Sequence, residues 1–196
     1  MTEWYRQTDW SDDIEAAFHA KLARARSQRD QYIVIQAITL SESRPDVALR
    51  LVDYYFETRT DDFHDDRARL ARSLAQFASG GYVEALDSYL ETLKADPDTT
   101  GLAVSSPLSF AYIAARYRST THYAAALEFL SDLPEPPAAL PALVFQAKAA
   151  RALILHETGA DPAGALSAAR SALEAPEPVL STYSDVVWRL RGITRN

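Results

Sequence analysis

Residues 80–97 constrain the fold more than any other part of this sequence. They join a glycine pair to an amphipathic segment that ends in a proline. Tyr82, Leu86 and Leu93 recur at helical spacing and therefore share one face of a helix. A single helix of this length is only marginally stable in water. The pattern therefore predicts a helix whose apolar face packs against other helices.

Similar patterns along the chain predict ten helices and no strand. Prolines and acidic residues favour helix starts at several of them, and glycine or proline follows several ends. The β-branched run at 32–38 would also suit a strand, but the amphipathic helix that follows it favours a helix. The predicted helices cover residues 12–29, 31–41, 46–57, 62–79, most of 80–97, 107–118, 121–132, 142–158, 162–175 and 179–191.

An alanine followed by a leucine recurs four times, at steps of 37, 41 and 39 residues. The four pairs are Ala48 with Leu49, Ala85 with Leu86, Ala126 with Leu127, and Ala165 with Leu166. With Tyr82, Tyr89 and Pro97, they make residues 30–177 resemble tetratricopeptide repeats, in which two antiparallel helices pair within about 34 residues. The family's leucine–glycine pair is absent from this sequence. A helical bundle with chance periodicity is the alternative.

This resemblance implies an all-α superhelix of about four antiparallel helix hairpins in a single domain, 1–196. Residues 1–29 would form an N-terminal segment and helix, and 178–196 a capping helix. Trp4, Tyr5 and Arg6 also resemble the start of a group of bacterial repeat proteins with no assigned activity. That resemblance implies a bacterial source.

The first helices of such repeats line a concave groove where partner proteins or peptides usually bind. The groove positions carried over to this sequence are Asp30, Ile33, Ala37, Leu40, Arg67, Leu108, Ala111, Ala115, Arg118, Gln146, Ala149, Leu153 and His156. A small, apolar groove suits a helix or an extended apolar peptide. Three alternatives stay open: the segment 4–10 covers the groove, the terminal helix covers it, or it packs in a homodimer.

The acidic charge is concentrated in the first half of the chain. Residues 1–98 hold 12 basic and 19 acidic side chains, whereas residues 99–196 hold 8 of each. An acidic protein is a poor general binder of nucleic acid, since phosphate groups require a basic surface. The imbalance suggests an immunity-type inhibitor of a basic toxin as an alternative function, and ordinary solubility charge is the simpler interpretation.

Four aspartates form the densest acidic cluster: Asp61, Asp62, Asp65 and Asp66. With His64 they suggest a divalent-cation site and a metal-dependent enzyme as an alternative. The spacing lacks the glycine and the distal glutamate of a calcium loop. We therefore predict an acidic surface that complements a helix dipole, and no metal site.

Catalytic signatures are missing from the sequence. Cysteine is absent, and no phosphate-binding loop or nucleophile elbow appears. No apolar run reaches the length of a membrane span, and the first residues do not resemble a signal peptide. We predict a cytoplasmic, non-catalytic protein-interaction module without a cofactor.

The C-terminal residues Arg189, Arg191 and Arg195 lie near Trp188. We interpret them as charges at the end of a helix, and contact with nucleic acid by charge and stacking is the alternative.

Overall fold

The computed structural model describes residues 3–25, 27–95 and 107–195. Within these ranges the protein is all-α and contains no strand, which confirms the predicted fold class. The chain divides into two compact units, Met1–Asp98 and Thr99–Asn196. The boundary between the units lies inside the predicted repeat region 30–177. None of the described helices is long and apolar enough to span a membrane.

The first unit contains five helices in its described residues. They are α1 (Asp12–Leu22), α2 (Arg29–Leu40), α3 (Pro45–Thr58), α4 (Asp65–Ala78) and α5 (Tyr82–Ala95). From α2 onward each helix packs on the next, and α2 also packs on α4. Phe18 of α1, Ile33 of α2 and Tyr55 of α3 belong to the core of this unit.

The second unit contains six α-helices and a short 3₁₀ turn, Thr120–His122, in its described residues. The helices are α6 (Pro107–Arg116), α7 (Tyr123–Asp132), α8 (Pro141–Thr158), α9 (Pro162–Leu173), α10 (Glu177–Thr182) and α11 (Ser184–Arg195). Helix α6 packs on α7 and α8, while α11 packs on α8 and α9. All four alanines of the repeated pairs, two in each unit, are fully buried.

Two predicted helix boundaries in the first unit were wrong by three residues or more. The first helix ends at Leu22 and does not include Arg29. Arg29 instead begins α2, and its guanidinium donates to the hydroxyl of Tyr54 at 2.7 Å and to the carbonyl of Thr58 at 3.1 Å. Helix α4 begins at Asp65 instead of residue 62, because the Asp61 carboxylate accepts a local bond from the amide of residue 63.

The predicted last helix, 179–191, is broken at Tyr183. The ring of Tyr183 stacks on Phe145 at 5.1 Å, and its hydroxyl accepts a hydrogen bond of 2.9 Å from Gln146. These contacts with α8 hold the residue in a non-helical conformation between α10 and α11. Helix α11 then continues to Arg195, four residues beyond the predicted end.

Two buried tyrosines differ in how their hydroxyl groups are satisfied. The hydroxyl of Tyr55 donates to Asp65 at 2.9 Å, whereas the buried hydroxyl of Tyr112 has no partner in the described residues. We expect Tyr112→Phe to raise the free energy of unfolding by about 1 kcal/mol, and Tyr55→Phe to lower it by about as much. Urea unfolding followed by circular dichroism measures both. Equal losses in the two variants would contradict this prediction.

Alkaline pH should destabilise the protein through its buried tyrosines. Burial, followed by a hydrogen bond to a carboxylate, raises the pKa of both Tyr55 and Tyr123. A raised pKa in the folded state stabilises the protein below the unfolded pKa, and this contribution is lost as the pH rises. We expect the free energy of unfolding to fall above pH ~10, by about 1.4 kcal/mol per pH unit for each tyrosine.

Urea unfolding between neutral and strongly alkaline pH measures this slope. The double variant Tyr55→Phe, Tyr123→Phe is the control and should show a shallower slope. An identical slope in the double variant would show that other groups control the alkaline transition.

Candidate functional site

The predicted groove positions on α2 are buried, and the chain's own N-terminal segment is bonded to the same helix. Ile33 and Ala37 are fully buried in a core that includes Trp10. Beside them, the buried amide of Gln36 holds the backbone of Gln7 with bonds of 2.9 and 2.7 Å. This face of α2 is therefore not an open groove in the first unit.

Most predicted groove positions of the second unit are also core residues. Ala111, Ala115, Ala149 and Leu153 are buried where α6 and α8 pack together. The sequence could not show this, because α6 and α8, whose packing buries these residues, are separated by α7 along the chain. Of the remaining positions, Arg67, Arg118 and His156 are exposed.

The acidic cluster separates into residues with different surroundings. Asp61 and Asp62 are exposed, and Asp66 pairs with Arg69 at 3.3 Å. Asp65 is only 6% exposed, so its assignment to an acidic surface was wrong. It accepts the Tyr55 hydroxyl and pairs with Arg59 at 3.1 Å and Arg69 at 3.2 Å, because the start of α4 lies against the end of α3. In the described residues no group of three or more acidic or histidine side chains could hold a metal ion.

A cleft of about 350 Å³ opens in the second unit between the C-terminal ends of α6 and α8 and one side of α11. We call it the C-terminal cleft. Its lining residues are Arg118, Leu153, His156, Glu157, Trp188, Arg189, Arg191, Gly192, Ile193 and Arg195. Arg118, Leu153 and His156 come from the sequence prediction, and the structure adds the residues of α11.

Glu157 and Arg189 are the cleft residues that hydrogen bonds hold in place. The Arg189 guanidinium donates to the carbonyls of Ala115 at 3.2 Å and of Arg116 at 2.9 Å, which lie in the last turn of α6, where carbonyl groups lack donors within the helix. It also bonds the Glu157 carboxylate, which accepts the hydroxyl of Tyr123 as well. Both residues are therefore engaged in joining α6, α8 and α11.

Arg118 reaches the cleft from a strained backbone position. Its φ is +56°, a left-handed conformation that favours glycine. It lies just beyond the end of α6, where the amide of Ser119 bonds Ala114 at 2.9 Å and its own amide bonds Ala115 at 3.4 Å. These are the two hydrogen bonds of a Schellman motif. Its side chain is 64% exposed and pairs with Glu157 at 3.3 Å.

Three cleft residues of α11 project into solvent. Trp188 is 76% exposed, and Arg191 and Arg195 are exposed with no ion pair in the described residues. Their spacing of three and four places them along one side of the helix. The sequence contains this spacing, but the predicted helix ended at residue 191. Because α11 continues to Arg195, all three side chains lie on one helix.

Comparison with known proteins gives no further guide to this site. Neither a family profile, nor a curated protein, nor a solved structure matches the chain significantly.

The end of α4 provides an internal reference for the strain at Arg118. The same motif occurs there with glycine in the left-handed position: Gly80 has a φ of +82°, and the following amide bonds Gln76 at 2.9 Å. We expect Arg118→Gly to raise the free energy of unfolding by about 1 kcal/mol, because it relieves the strain. Urea unfolding measures the change.

The reciprocal variant Gly80→Arg is the matched control. It should lower the free energy of unfolding by about 1 kcal/mol, since a Cβ there would meet no atom and only the backbone conformation opposes it. A loss of stability in Arg118→Gly would mean that its ion pair with Glu157 outweighs the strain.

Proposed function

We propose that this protein is a non-catalytic interaction module that binds a partner protein or peptide in the C-terminal cleft. The observation that carries the proposal is the exposed ring of Trp188 beside a concave surface rich in arginine. Tryptophan and arginine are enriched among the residues that contribute most to binding at protein interfaces. A large apolar ring left in solvent also marks an interaction surface when it borders a cleft.

The tetratricopeptide-like architecture belongs to this proposal. It is supported by the four fully buried alanines, which are small where that family brings two helices together. The binding surface, however, shifts from the concave groove of the family to the C-terminal cleft. We retain a bacterial, cytoplasmic setting as part of the proposal.

The alternative of an acidic inhibitor of a basic toxin has less support. It was suggested by the acidic excess of residues 1–98, and in the densest acidic cluster of that half Asp65 is buried and Asp66 is paired with an arginine. Only Asp61 and Asp62 are left as exposed, acidic members of the cluster.

Replacing Trp188 by alanine tests the proposal. We expect Trp188→Ala to weaken partner binding about 30-fold or more, because a central aromatic contact contributes about 2 kcal/mol or more. Its stability should change little, since the ring is mostly in solvent. Affinity capture from a lysate with quantitative mass spectrometry identifies the proteins that wild type retains and the variant loses.

Phe63→Ala is the matched control, because Phe63 is 82% exposed and lies in the other unit. It should retain the same partners as wild type. Equal capture by Trp188→Ala and wild type would contradict binding in the C-terminal cleft, as would a partner lost only in Phe63→Ala.

A further inference from the structure

The C-terminal cleft concentrates the positive charge of the second unit. Residues 99–196 contain eight basic side chains, and four of them line this cleft. They face one carboxylate, that of Glu157, which is already bonded to Arg189, Arg118 and the Tyr123 hydroxyl. The guanidinium groups of Arg191 and Arg195 are therefore left without a counter-charge in the described part of the chain.

The backbone conformation of Arg118 adds a separate indication. The equivalent left-handed position after α4 is a glycine, which is the residue this motif favours. An arginine there strains the backbone, yet it places a third, mostly exposed guanidinium at the same cleft. Strain at a concave, charged surface is typical of a binding site.

We propose that the C-terminal cleft binds an acidic segment of the partner protein, with an apolar side chain against Trp188 and carboxylates against Arg118, Arg191 and Arg195. This inference rests on the proposed function and specifies the chemistry of the partner. Charge complementarity supports this proposal. The arginines of the cleft outnumber its single carboxylate, that of Glu157, so the cleft attracts anions.

The geometry of α11 sets the spacing of the ligand. A helix rises 1.5 Å per residue, so Arg191 lies about 4.5 Å and Arg195 about 10.5 Å along the axis from Trp188. An extended peptide advances about 3.3 Å per residue. The acidic residues therefore fall within about three positions of the apolar residue.

A protein segment fits the cleft better than a nucleic acid does. The second unit has eight basic and eight acidic side chains, so it lacks the extended basic surface that a long polyanion requires. Strands of nucleic acid also need a groove that follows several phosphates. The C-terminal cleft is a local space of about 350 Å³, which suits a few amino-acid residues.

Fluorescence anisotropy with defined peptides tests the proposal on the full chain. The probe contains Phe-Glu-Glu-Glu between Gly-Ser flanks and has blocked ends, so that its only charges are side-chain carboxylates. The neutral probe replaces each glutamate by glutamine. We expect the acidic probe to bind about tenfold more tightly at a salt concentration of about 50 mM, and the difference to shrink at high salt.

Cleft variants locate the binding site. Arg118→Gln, Arg191→Gln and Arg195→Gln should each weaken binding of the acidic probe about two- to fivefold. Arg170→Gln, which removes an exposed charge from α9, should leave it unchanged. Arg118→Gly should lose affinity while its melting temperature rises, which separates lost binding from lost folding.

Four results would overturn the inference. Equal binding of the neutral probe would remove the acidic specificity, while loss of the captured partner in Trp188→Ala would still support the proposed function. Unchanged binding in all three arginine variants would place the anion elsewhere. Tighter binding of a single-stranded oligothymidylate would assign the cleft to nucleic acid. Self-association of the protein that is abolished in Arg191→Gln would show that a second copy occupies the C-terminal cleft, through its exposed Asp61, Asp62 and Phe63.

Discussion

The structure of each unit depends on how the ends of its helices are satisfied. The last carbonyl groups of a helix have no partner within that helix, and burying them unpaired is costly. In the second unit, Arg189 of α11 supplies the missing donors at the end of α6 and ties Glu157 of α8 to the same point. In the first unit, Arg29 does the same for the carbonyl of Thr58 at the end of α3. Long side chains from distant parts of the chain therefore fix which helix ends meet.

Local signals in the sequence predicted most of the helices, but they did not predict how the helices pack on one another. Pro45, Pro107 and Pro162 each open a helix near where the sequence predicted a start, because proline suits the first turn. The break at Tyr183 was not predictable, since it depends on a ring stacked against α8, almost forty residues earlier. The same limit applies to Asp65, whose burial follows from the packing of α3 on α4.

The candidate site also combines residues that the sequence predicted with packing that it did not predict. Arg118, Leu153 and His156 were carried over from a repeat pattern and do line the C-terminal cleft. The small positions between them, Ala111 and Ala115 among others, form the core instead. A repeat pattern specifies which residues are small and apolar, but the same pattern serves an open groove and a buried contact. What decides between them is which helix packs on these residues, and the local sequence of the packed residues does not show which one it is.

The bond between Gln36 and the backbone of Gln7 has a consequence for the order in which the protein can form. The N-terminal segment also depends on Arg44, which donates to the carbonyl of Trp10 at 2.9 Å. At a synthesis rate of about 5–20 residues per second, Arg44 is added about two to seven seconds after Trp10. The aromatic side chains of the segment leave the ribosome before the part of the first unit that holds them, which includes Gln36 and Arg44, has formed. During this interval chaperones can reach these aromatic residues. In the folded protein the same residues are packed against the core of the first unit.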